Sequence, residues 1–139
     1  MPFMEWSDRY ATGIEDIDND HRTLFTFVND LHDKIADGAA DDDVGATLAG
    51  LVNYVQVHFE REEMIMTKAG YEDLEDHVES HRRLSDRVFA LKDQFDSSPE
   101  TFNRGALVEF MRGWLTGHIL YTDMDYVPAV TGVTDRPDD

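Results

Sequence analysis

Six histidines occur in this chain of 139 residues, and four of them fall in register with carboxylates or with one another. His58 has Glu62 four positions on, His77 has His81 at the same interval, and His118 is followed by Asp123 at five. Side chains four apart project side by side from one helix face, so each such pair offers two donor atoms to one point. Nitrogen and oxygen donors of this kind suit iron, zinc, manganese or copper. The chain has no cysteine, which excludes thiolate zinc sites, iron–sulfur clusters and the covalent haem motif.

Four segments of 3.6-residue periodicity must carry these donors, and they predict an all-α, up-down-up-down four-helix bundle. The first spans about Asp20 to Ala36, capped by Asp18 or Asn19, and aligns His21 with Leu24, Phe25, Val28 and Leu31. The second, about Asp43 to Thr67, aligns Leu48, Leu51 and Val55 with His58 and Glu62. The third, about Glu72 to Phe95, aligns His77 and His81 with Leu84, Val88 and Leu91. The fourth, about Thr101 to Asp123, places Leu107, Met111, Trp114 and His118 together. Short breaker-rich connections, "DGAADD", "KAGYED" and the run Ser97-Ser98-Pro99-Glu100, make sequential helices antiparallel. An irregular arm (about 1–18) and a polar tail (about 127–139) flank the bundle, all within one domain over 1–139.

The topology brings the donors to one height. His21 opens the first helix, His58 and Glu62 close the second, His77 and His81 open the third, and His118 and Asp123 close the fourth. At about 1.5 Å rise per residue, a shift of ten positions would carry a donor some 15 Å away. All seven meet at one end of the core. The weakest fit is Asp123, because a spacing of five turns about 140° around an ideal helix. Seven donors exceed one ion's needs, so two metals are implied, with Glu62 and Asp123 as bridges. With one bridging oxygen the set fills about eleven of twelve octahedral positions and leaves a vacancy for a small diatomic ligand. His32, about 16 Å along the helix from His21, cannot join the cluster.

A net charge of −18 opposes binding to nucleic acid or anionic lipid. No apolar run approaches the roughly 20 residues of a membrane helix. "MPFMEWSDRYATG" lacks a signal-peptide pattern, so the expected location is the cytoplasm. Lysine is limited to Lys34, Lys68 and Lys92 against abundant aspartate. If that bias reflects high-salt adaptation, the unfolding midpoint should rise through a salt series.

In order and separation, "GIEDIDNDHRTLF", "HFEREEMIM", "HVESH" and "WLTGHILYTD" resemble the hemerythrin family, specifically its single-domain bacterial members, over almost the whole chain. That resemblance implies two non-haem iron ions that bind O2 reversibly, joined by an oxo or hydroxo bridge. By position, His77, His81 and His118 would hold one iron and His21 and His58 the other, with Glu62 and Asp123 bridging. Leu24, Phe59, Trp114, Leu115 and Ile119 would line a dry pocket for O2. Asp20 and the Tyr71-Glu72 pair depart from the family's usual residues, and neither is expected to touch a ligand. Tyr54, one turn before His58, is expected to pack, with a hydrogen bond near the site as the alternative. Gly117 would permit close helix approach or, failing that, a path to the metals.

Carriage or storage of O2, serving an unidentified oxygen-consuming enzyme, is the first expectation. A sensor working through a signalling partner is the second. A di-iron oxidase, peroxidase or nitric-oxide-reducing enzyme is the third, disfavoured by the nitrogen-rich donors and by the absence of Glu-x-x-His.

Overall fold

A computed structural model describes residues 2–131. Among them are four long helices: α1 (Glu15–Ala36), α2 (Asp41–Ala69), α3 (Leu74–Ser97) and α4 (Arg104–Gly117). α1 packs against α2 and α4, and α2 packs against α3. Leu24, Val28, Leu31, Leu48, Leu51, Val55, Leu107, Met111 and Leu115 form a continuous apolar core at 0 to 1% exposure. The stripes read from periodicity are thus the buried faces. No strand occurs among the described residues, and no helix there is long and apolar enough to cross a membrane.

Helix ends set the height of the donors. α2 closes in a Schellman arrangement, with Tyr71 N–H donating to Met66 O at 3.1 Å and Gly70 N–H to Thr67 O at 3.2 Å. Gly70 takes the left-handed conformation this stop needs, at φ 68°. The chain then reverses within a few residues and α3 delivers His77 in its first turn. At the other end, Asn103 caps α4 by accepting from Ala106 N–H at 3.0 Å.

Three local expectations are corrected. α1 begins at Glu15, behind Ile14, so neither Asp18 nor Asn19 is its cap. Asp18 instead accepts from Thr12 N–H and Thr12 Oγ1, both at 2.8 Å, and from Gly13 N–H at 3.2 Å. Its carboxylate therefore ties the N-terminal arm to the bundle. The tail expected from 127 begins with a short helix, α5 (Val127–Thr131), packed against α2; residues 132–139 of that tail lie outside the described residues. A Cβ added at Gly117 would meet nothing within 4 Å, so close helix approach does not explain that glycine.

The N-terminal arm covers the side of the bundle. Trp6 and Tyr10 meet Phe25 edge-on at 5.4 and 5.0 Å, and Asn29 brackets the Met4 backbone with two hydrogen bonds. His32 stacks on Phe3 at 4.2 Å, which gives the sixth histidine a packing role away from the cluster.

Candidate metal centre

α4 does not run on to Asp123. After Gly117 the chain passes through a π-helical turn, His118–Thr122, and a 3-10 turn, Asp123–Tyr126. Asp123 N–H donates to His118 O, a bond across five residues. One extra residue per turn brings positions five apart onto the same face, so the awkward spacing of His118 and Asp123 is resolved by a local widening of the helix. Both side chains are then buried, Asp123 completely.

All seven donors meet in the core, at 0 to 5% exposure. They form two sets whose donor atoms lie within 4.8 Å of one another: Glu62, His77, His81, His118 and Asp123, and His21, His58, Glu62 and Asp123. The two carboxylates belong to both sets. Asp123 divides cleanly between them, with Oδ1 2.9 Å from His118 Nε2 and 3.2 Å from His77 Nε2, while Oδ2 is 2.9 Å from His21 Nε2. Glu62 presents Oε1 at 3.2 Å from His58 Nε2 and 3.1 Å from His81 Nε2.

These contacts do not satisfy the atoms that make them. Nε2 of His77, His81 and His118, Oε1 of Glu62 and both oxygens of Asp123 are buried without a hydrogen bond. Each such group costs about 1–3 kcal/mol, which a fold does not accumulate at one point without compensation. Donors that share one metal at about 2.1 Å lie about 3 Å apart, and the separations here are 2.9 to 4.0 Å. The residues fit a pair of cations held by nitrogen and oxygen.

Side chains behind the donors aim them. Asp20, 3% exposed, accepts from His58 Nδ1 at 3.0 Å, from Tyr54 Oη at 2.8 Å and from Arg61 Nε at 2.8 Å. With its proton on Nδ1, His58 presents the Nε2 lone pair inward. The expectation that Asp20 touches no ligand is therefore corrected, and Tyr54 takes the hydrogen-bonding alternative in place of simple packing. The periodicity of α1 already put Asp20 beside the buried face, but its partner comes from α2, 38 positions away. Glu63 similarly accepts from His81 Nδ1 at 2.8 Å. Tyr126, which the sequence pattern left unassigned, is fully buried and donates to Glu62 Oε2 at 2.6 Å. Replacing Asp20 with alanine should lower metal affinity about 10- to 100-fold while the helices stay intact. Competition against a chelator, with far-ultraviolet circular dichroism alongside, tests this; undiminished affinity would reduce Asp20 to a packing residue.

The electrostatics of the metal-free cluster follow from its mixture of charges. Burial acts to lower the His58 imidazolium, but the Glu62 charge and the hydrogen bond to Asp20 together outweigh it and raise the group to about 9. His118 rises to about 10, again against burial, through the charge and hydrogen bond of Asp123. Burial and the like charge of Glu62 push Asp123 up, yet His118 and His21 bring it down to about 2. Glu62 is held well below the usual carboxylate range, against burial, chiefly by His58 and His118.

Of the five residues expected to line a pocket, Leu24, Leu115 and Ile119 are completely buried and Phe59 is 3% exposed. Phe59 stacks on His81 at 3.8 Å, and half-buried Trp114 stacks on His118 at 5.5 Å. Both aromatics therefore pack on histidines of the larger donor set. A groove of about 630 Å³ lies at the far end of α3 and α4 and contains no member of the cluster.

An all-α bundle enclosing five imidazoles and two carboxylates defines a helical protein built around a non-haem, nitrogen- and oxygen-donor site. Residues 12–130 match the hemerythrin HHE cation binding domain. The bacteriohemerythrin of Methylococcus capsulatus is 33% identical over 132 residues, covering 94% of this chain and 99% of that protein. That of Pseudomonas aeruginosa is 32% identical over 130 residues, covering 94% and 83%. A crystal structure of wild-type hemerythrin superposes with a TM-score of 0.85 at 33% identity, covering 93% of this chain and 98% of that one. A mutant hemerythrin structure gives 0.87 at 32% identity, covering 94% and 99%. The chain belongs to the hemerythrin family.

Proposed function

We propose that this protein binds O2 reversibly, as a carrier or store, at a pair of non-haem irons in the bundle core. The observation that carries the proposal is the unequal division of seven buried donors into sets of five and four that share both carboxylates. His77, His81 and His118 would hold one iron and His21 and His58 the other, with Glu62 and Asp123 common to both. One iron then has an imidazole fewer, which leaves room for a small ligand. When bound, the iron pair supplies the exchangeable electrons and the coordination position that O2 requires.

The remaining work belongs to the chain. Asp20 and Glu63 hold the protons on the outer nitrogens of His58 and His81, so both rings face inward as neutral donors. Tyr126 holds Glu62 by donating to Oε2, leaving Oε1 free toward the histidines. Leu24, Leu115 and Ile119, with Phe59 and Trp114 against the imidazoles, form a water-poor wall that slows irreversible oxidation. Two carboxylates among seven donors supply little negative charge to stabilise high-valent iron, which favours binding over turnover.

Elemental analysis combined with visible spectra through repeated air and vacuum cycles tests the proposal. Two irons per chain and a colour that appears and fades with each cycle are expected. A colour that forms once and persists would replace the carrier with an oxidase or an inactive oxidised centre.

A further inference from the structure

We propose that the acidic pocket outside His77 is the capture site through which a divalent metal ion, ferrous iron in the reading above, reaches the buried donors. This rests on the di-iron reading and adds the loading route. The pocket, about 240 Å³, is walled by Asp73, Asp76 and Asp125, with Ser80 and Thr122 between them and His77 among its lining residues. His77 is only 4% exposed, and its Nε2 is buried without a hydrogen bond on the side of the centre. One imidazole is thus shared by the pocket and the cluster. The outer nitrogens of His58 and His81 are closed off by Asp20 and Glu63, whereas no side-chain hydrogen bond closes off His77 among the described residues.

The three aspartates are uncommitted. Asp73 stands at the N-cap of α3 yet makes no side-chain capping bond. Among the described residues, none of the three enters an ion pair or accepts a side-chain hydrogen bond. Exposed carboxylates lining a small cavity attract a hydrated dication and can exchange its waters one at a time.

The neighbouring opening is lined not by aspartates but by arginines, one of which, Arg83, pairs with Glu79 at 3.5 Å. A pocket of about 330 Å³ shares Ser80 and Thr122 but is walled by Arg83 and Arg87, and it includes His118. A cation approaching this end of the bundle is repelled from His118 and drawn toward His77. That local reversal cannot come from the overall charge of −18, which would favour cations everywhere.

The test uses the full chain, stripped of metal by a chelator and mixed without oxygen with Fe(II), or with Co(II) as a redox-silent probe, under rapid-mixing absorbance. Combining Asp73→Asn, Asp76→Asn and Asp125→Asn should slow loading about ten-fold at low salt and weaken its salt dependence, with the same final two ions per chain. A control combining Asp42→Asn, Asp93→Asn and Glu100→Gln removes equal charge at the far end and should load at the wild-type rate. Unslowed loading in the pocket variant, or equal slowing in the control, overturns the capture site while leaving the di-iron reading in place. A wild-type chain that never reaches two ions overturns both.

Discussion

A chain carrying Glu62→Ala should keep its helices and lose its metal pair, falling from two ions per chain to one or none. Glu62 is a residue whose loss strips a donor from both sets and also removes a negative charge from between two cations. Their mutual repulsion at close range then has only Asp123 to offset it. The same change leaves the Tyr126 hydroxyl buried without its acceptor, a further cost of about 1–3 kcal/mol. Glu63→Ala makes the informative comparison, since Glu63 is a partly exposed neighbour that reaches only the outer nitrogen of His81. It should weaken binding without halving the stoichiometry. Metal content per folded chain, measured after gel filtration, separates the two variants. Retention of two ions by the Glu62→Ala chain, with an unchanged visible spectrum, would remove Glu62 from the bridge.

Metal removal should invert the response of stability to pH. In the metal-free chain, His58 and His118 hold their protons up to about 9 and about 10, above the ordinary value near 6.5. Groups raised in the folded state stabilise it fully below about pH 6.5 and lose that contribution as pH climbs through 9 and 10. Glu62 and Asp123 are depressed, so their contribution holds above about pH 4 and is lost as pH falls toward the folded value, about 2 for Asp123. The cluster therefore favours the metal-free fold most between about pH 4.5 and 6.5. Metal requires the same imidazoles neutral, so loading expels their protons and binding tightens as pH rises. The unfolding midpoint should fall between pH 6.5 and 10 without metal and rise or hold steady with it. Loading in weak buffer should release about two protons per chain, one each from His58 and His118. Parallel pH profiles for the two forms, or loading with no proton release, would contradict this account.

Periodicity and spacing alone were enough for the four helices and for the common height of the seven donors. Both depend on properties that act locally: a 3.6-residue apolar repeat selects the buried face, and short connections force antiparallel neighbours. The same logic misplaced the start of α1. Asp18 has the right residue type for a cap, but its carboxylate is taken by Thr12 and Gly13 of the arm, which no local rule weighs against capping. The roles of Asp20 and Tyr126 are illegible in the sequence for a related reason. Each matters through hydrogen bonding to α2, with Asp20 meeting His58 across 38 positions and Tyr126 meeting Glu62 across 64.

The sequence by itself determined the kind of protein this is: imidazoles and carboxylates set within apolar stripes, without cysteine, leave a buried non-haem centre in a helical bundle as the arrangement that satisfies them. Only the tertiary structure decided how the centre is completed. The π-helical turn at His118–Thr122 swings Asp123 inward, and nothing in "HILYT" demands that widening. It brings the Asp123 carboxylate within 2.9 to 3.2 Å of His21 of α1, His77 of α3 and His118 of the turn itself. Local pattern records which face is buried; which buried atoms find each other depends on packing between segments far apart in the chain.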